Sequence, residues 1–133
     1  MIFLLDTNTV SDLLRRNPHV TQQRDQCLRA GHQLGLCPPV HYEVVRGLLK
    51  IEAASQLSRF QSQFVPLHDW FPLTDVDWQQ AARYWAGTMR MGRQLSTTDL
   101  LLAALAQRLN ATIVSSDNDF DALPVARINW RES

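Results

Sequence analysis

Four carboxylates stand where the chain gives them a chance to work together. "MIFLLDTNTVSDLL" runs four apolar residues straight into Asp6, Thr7 and Asn8, and "PVHYEVVRGLL" carries Glu43. "LSTTDLLLAALA" puts Asp99 at the head of an apolar run, and "ATIVSSDNDFD" follows its β-branched residues with Asp117 and then Asp119. Each acid has a local explanation. Asp6 and Asp117 suit helix starts and turns, Glu43 suits a solvated helix face, and the spacing from Ser96 to Asp99 is a capping box. One hypothesis covers all four. Carboxylates gathered at a point repel by up to about 4 kcal/mol per pair at 4 Å and an effective dielectric near 20, and a cation relieves this. Oxygen ligands without His or Cys select magnesium or manganese. Such an ion neutralises an approaching phosphate and acidifies an attacking water, which is the chemistry of a metal-dependent phosphodiesterase.

The acids can meet only if the elements that carry them end at one edge. "IFLL" reads as a short buried strand and "NTVSDLLRR" as the first helix. "NPHVTQQRDQCLRAG" is a polar surface helix with Asn17 as cap and Pro18 in its first turn. "LGLC" is a second strand, and "PVHYEVVRGLLK" a helix with Val40, Val44 and Leu48 on one side; helix continues from Glu52 to Gln63, and "FVPLH" is a candidate third strand. Beyond Pro72 the stripe Trp78, Ala82, Trp85 and Met89 marks a long helix, read chiefly as core with part of it free for a partner. "STTDLLLAALAQRLN" is a helix apolar nearly all round, so the Asp99 carboxylate at its head is poorly solvated. "ATIVSS" is a strand and "VARIN" an edge strand. Strands separated by helices predict a parallel sheet wrapped on both faces, with sites beyond the carboxyl ends of its strands.

Composition narrows the rest. With 133 residues, 45% apolar and 20% charged, the chain reads as a single globular domain over residues 1–133. Its longest apolar run, Leu100 to Ala106, falls far short of the roughly 20 residues of a membrane span, and no basic leader precedes Asp6, so the cytoplasm is the expected compartment. Zero formal net charge argues against coating nucleic acid by bulk electrostatics, while twelve of the thirteen basic residues are Arg, with Lys50 the exception. Cys27, His32, Cys37 and His41 are zinc-ligand types at spacings of five, five and four, which match no zinc pattern; buried, reduced thiols are expected instead.

Taken as a set, "LLDTNTVSDLL", "HYEVVRGL", "LSTTDLLLAALA" and "TIVSSDNDF" resemble the four signature segments of the PIN domain, most closely its bacterial toxin branch, the VapC-type endoribonucleases of toxin–antitoxin pairs. The resemblance implies an α/β fold, three-layer α/β/α, with a central, mostly parallel sheet of four to five strands. It implies Asp6, Glu43, Asp99 and Asp117 as the catalytic and metal-binding acids, with Asn8 and Ser115 as polar supports. It also implies magnesium-dependent cleavage of RNA, with manganese as a substitute, a homodimer, and inhibition by a small cognate antitoxin. Arg15, Arg16, Arg46 and Arg93 are then candidates for gripping RNA. Thr98 stands where some PIN domains carry a further acid, and Asp119 is an extra one, a supporting or loop residue, so the number of ions is left open. Two other readings share these residues: a relative that cuts structured DNA, and a non-catalytic module whose acids cap helices and hold a structural ion.

Overall fold

A computed structural model describes residues 1–132. The elements alternate as β1 Ile2–Leu5, α1 Thr7–Leu14, α2 Pro18–Arg29, β2 Gln33–Leu36, α3 Pro38–Lys50, α4 Ala54–Arg59, β3 Asp69–Trp70, α5 Asp75–Arg90, α6 Thr97–Leu109, β4 Thr112–Val114 and β5 Ala126–Ile128. All five strands are parallel, in the order β3-β2-β1-β4-β5, within three α/β/α layers. Because β1 is central, its residues are covered on both faces, which is why "FLL" is unbroken by polar residues. Leu4 and Leu5 are completely buried. From β1 the chain first builds outward through β2 and β3, then crosses to the other side for β4 and β5. Such a reversal opens a crevice at the carboxyl ends of the two strands on either side of it, here β1 and β4.

Local chemistry sets the element ends. Asn17 caps α2 by accepting from the Val20 N–H at 3.0 Å, with Pro18 in the first turn as expected. At Gly35 in β2 a Cβ would lie 2.5 Å from the Phe71 ring, so that ring packs where only glycine leaves room. Helix α6 buries Thr98 and every residue from Leu100 to Ala106, matching its all-round apolar sequence.

Three expectations are corrected. "FVPLH" is not a strand: residues Phe60–Phe64 form a π-helical turn and Val65–Leu67 a 3₁₀ turn. Phe60 and Phe64, four apart, enter the core together as a helix face does, and Pro66 has no N–H to offer a sheet. The third strand comes just after, pairing Gly35 with Asp69 and Leu36 with Trp70. The helix expected from Glu52 to Gln63 starts instead at Ala54, since Glu52 takes φ 55 at the end of α3. The stripe on α5 is likewise rotated. Its buried face is Asp77, Ala81, Tyr84 and Thr88, while Trp78, Trp85 and Met89 are about half exposed. Polar anchors decide this: Arg108 of α6 grips Asp77 at 2.8 and 3.0 Å, and the Tyr84 hydroxyl bonds Gln107, turning those residues towards α6.

Candidate active site

Asp6 is the first residue after β1 and the N-cap of α1, only 4% exposed. Its Oδ1 accepts from the Thr7 N–H at 2.8 Å, and its Oδ2 accepts from the Ser115 hydroxyl at 2.7 Å. Asn8 braces both, donating from Nδ2 to Ser115 Oγ at 3.2 Å and to Asp6 Oδ2 at 3.4 Å, while its Oδ1 accepts from the Ser116 N–H at 3.3 Å. The end of β4 is stitched to β1 and α1 by the Asp6 N–H and the Thr9 hydroxyl, which both donate to the Val114 carbonyl, at 3.0 and 2.8 Å. Ser115 Oγ also accepts from the Asp117 N–H at 3.0 Å. One serine thereby ties the first acid to the fourth.

The remaining acids converge from other elements. Asp99 lies in the first turn of α6, where its N–H donates to the Ser96 hydroxyl at 3.1 Å. Glu43 projects from the second turn of α3, with Arg46 one turn on at 3.8 Å. Asp6, Glu43, Asp99 and Asp117 line one open cleft of about 550 Å³, together with Thr7, Ser11, Arg15 and Ser96. Their electrostatics register the crowding. Burial pushes the Asp99 carboxyl up to about 7, with the Asp6 charge adding to it, the Ser96 hydrogen bond opposing, and Asp117 and Glu43 contributing further. Burial also raises Asp6, against hydrogen bonds from Ser115 and Thr7, and the Glu43 and Asp117 charges push the same way.

A hard cation fits this donor set on chemistry, since all four acids offer oxygen. Thr7 Oγ1 adds a second sign: it is buried on the cleft wall with no hydrogen-bond partner among the described residues, an oxygen left for a hydrated ion or substrate to satisfy. As they stand, no three of the described His, Cys, Asp and Glu side chains are close enough to hold an ion jointly. Like charges without a counter-ion splay apart, so the acids would have to draw inward around one.

Other residues singled out by sequence fall elsewhere. Asp119 does not line the cleft; its N–H donates to Asp117 Oδ1 at 2.9 Å, and its carboxylate pairs with Arg93 at 3.0 Å, which engages that arginine. Arg16 lines an apolar groove formed with Leu13, Leu14, Phe64 and Leu67. Arg15 and Arg46 do reach the acid cleft. Cys37 is buried, and its thiol is pushed up to about 12 by that burial; the His41 ring packs against Phe60 and Trp70. Sequence reasoning missed Thr7, Thr9 and Arg131. Thr9 carried a signal, as a hydroxyl one turn into a helix that follows a buried strand. Arg131 carried none, because the residue that orients it, Asp12, is 119 positions away.

A doubly covered parallel sheet with four acids at its carboxyl edge places the molecule among the α/β proteins whose sites are built from strand ends. Within that class the chain belongs to the PIN domain family, whose model matches residues 3–126. It is similar, at 28% identity over 131 residues, to the VapC ribonuclease Mb1587 of Mycobacterium bovis, covering 96% of this chain and 93% of that protein. Among solved structures it is similar to FitAcB from Neisseria gonorrhoeae, with a TM-score of 0.84 at 23% identity and 100% of both chains covered. VapBC2 from Rickettsia felis, bound to a DNA fragment from their promoter, gives a TM-score of 0.81 at 20% identity, covering 98% of this chain and 99% of that one. Among the described residues no helix is long and apolar enough to cross a membrane.

Proposed function

We propose that this chain is a magnesium-dependent endoribonuclease and the toxin of a toxin–antitoxin pair. The observation that carries the reading is the Asp6 carboxylate, fixed by Ser115 and Asn8 at the point where the Glu43 and Asp117 charges bear on it and from which its own charge bears on Asp99. The similarity to proteins named VapC ribonucleases supports RNA as the substrate, and the likeness to VapBC complexes supports a cognate antitoxin.

Asp6, Asp99 and Asp117 would hold the ion, with manganese as a substitute for magnesium. When bound, it supplies the charge that neutralises the phosphate and acidifies a water. Glu43 either completes the ligand set or accepts a proton from the attacking water, oriented by Arg46. Ser115 and Asn8 hold the Asp6 oxygens in place, which limits the reorganisation needed when charge develops on the phosphate. Among the described residues that line the cleft none is His, Lys or Tyr, and we assign the leaving oxygen's proton to solvent.

The exposed face of α5, with Val76, Trp78, Trp85 and Met89, is the surface we assign to a second copy of the chain. An antitoxin can silence the site by covering the acids or by inserting an Arg or Lys among them in place of the ion. Purified protein incubated with total RNA should cut it in magnesium and leave it intact in EDTA. Expression alone should arrest growth, and co-expression of the small reading frame beside its gene should restore it. Cleavage undiminished by EDTA would remove the metal-dependent reading.

A further inference from the structure

We infer that Arg131 is a phosphate-binding residue on the wall of the acid cleft, and that Asp12 is the residue that positions it; the inference rests on the RNA-cleaving reading above. Arg131 lines the same cleft as the four acids. Left free, a guanidinium on the wall of a cleft lined by four acids is drawn towards their charge. Asp12 prevents this. That carboxylate, on α1 and only 6% exposed, accepts from Arg131 Nε at 2.7 Å and from Nη2 at 3.1 Å, a two-point fork that fixes the plane of the guanidinium. Nη1 is the end of the guanidinium that Asp12 does not engage, and about half of the Arg131 side chain is open to solvent.

The neighbourhood is that of the site. Arg131 shares a small crevice with Asn8 and Ser116, the residues that brace Asp6 and the β4 end. A purely mechanical strap has less to do here, because the segment is already anchored: Trp130 is 4% exposed, the Ser115 N–H donates to the Ile128 carbonyl at 2.9 Å, and the Arg131 N–H donates to Asn129 Oδ1 at 3.0 Å. Among the described residues three arginines line the cleft, all of them exposed, and Arg46 lies 3.8 Å from Glu43 and over the Tyr42 ring. Arg131 is the one oriented by a buried partner. Ordering it on a phosphate therefore costs less side-chain entropy than ordering a free arginine. The anion it fits is a backbone phosphate neighbouring the one at the acids.

The test is equilibrium binding of a labelled single-stranded oligoribonucleotide that the wild-type protein cuts. It is run in magnesium on an Asp99→Asn background, so that binding is read apart from turnover. Each phosphate is replaced in turn by an uncharged methylphosphonate. At one position the replacement should weaken binding about tenfold in the Arg131-containing protein and hardly at all in Arg131→Ala, whose salt slope should fall by about 0.7. Arg131→Ala strands the buried Asp12 charge and can unfold the protein, so the paired variant Asp12→Asn with Arg131→Gln, which keeps a neutral hydrogen-bonded couple, serves the same comparison. Asp12→Asn alone should weaken binding with the salt slope unchanged, since the charge stays and only its orientation is lost. Losses that add at every phosphate, or a melting temperature that falls with affinity and salt slope intact, would make Arg131 a strap and overturn the inference. If the wild-type protein neither binds nor cuts RNA, the ribonuclease reading fails first and takes this inference with it.

Discussion

Replacing Asp99 by Asn separates its two possible jobs, since the residue both sits in a helix first turn and faces three other acids. As a cap partner of Ser96 it contributes about 1 kcal/mol or less, the scale of capping and helix-dipole effects. As an acid pushed up first by burial and then by the Asp6 charge, it costs the fold more than that. Carrying a carboxyl from its ordinary 3.8 to about 7 costs about 4 kcal/mol at about 1.4 kcal/mol per pH unit, which solvent on the open side of the cleft screens to about 2 kcal/mol. The sign follows from the direction. Because the folded state holds this proton more tightly, stability is full below pH 3.8 and is lost as pH rises from there through about 7. In EDTA at pH 8, Asp99→Asn should therefore melt higher than wild type by about 1 kcal/mol, or roughly 3–5 °C. That advantage should shrink steadily as pH is lowered towards 4. Magnesium at a hundred times Kd should raise the wild-type protein by about 2.7 kcal/mol and the variant by far less, while RNA cleavage by the variant falls by orders of magnitude. Ser96→Ala is the matched control, removing the acceptor of the Asp99 N–H and leaving the acid in place. A variant that melts lower than wild type in EDTA at pH 8, gains as much from magnesium and still cuts RNA would refute the reasoning for all four acids.

Ser115→Ala removes a hydroxyl that donates to Asp6 and accepts from Asn8 and Asp117. A stability loss of about 1–3 kcal/mol in a urea titration should accompany it, with cleavage falling further than the lost stability explains. Arg108→Met leaves Asp77, 1% exposed, without its cation; thermal melts should show a loss of about 3–5 kcal/mol with magnesium stabilisation retained, because the pair lies outside the acid cleft. Trp78→Arg places charge on the exposed face of α5. Sedimentation should show a shift from dimer to monomer, and an unchanged dimer would move the assembly surface elsewhere.

How much of this was legible depended on the range of the cause. The strands "IFLL" and "ATIVSS", the cap at Asn17 and the buried run of α6 follow from neighbours in sequence, and the structure keeps them. That the four acids reach one cleft was legible because Asp6 and Asp117 follow strands while Glu43 and Asp99 lie in the first two turns of helices, and such ends gather at the carboxyl edge of a parallel sheet. What failed was decided across the fold. The face α5 buries is chosen by Arg108 and Gln107, 31 and 23 positions from their partners, so the larger Trp residues lose the core to Ala81 and Thr88. "FVPLH" has a strand's composition, yet Phe60 and Phe64 satisfy the core as a helical pair.

The pairing of β1 with β4 also fixes a sequence of events. Asp6 and Ser115 are 109 residues apart, and the strand that supplies Ser115 joins the sheet beside the first strand made. At about 5–20 residues per second, translation reaches residue 115 several seconds after residue 6. A nascent chain that stops short of β4 has its first acid without the serine that fixes it and without Asp117. A ribosome-bound fragment of such a chain therefore carries an unfinished cleft, and the acid set is complete only once β4 has joined β1 and brought Ser115 and Asp117 beside Asp6.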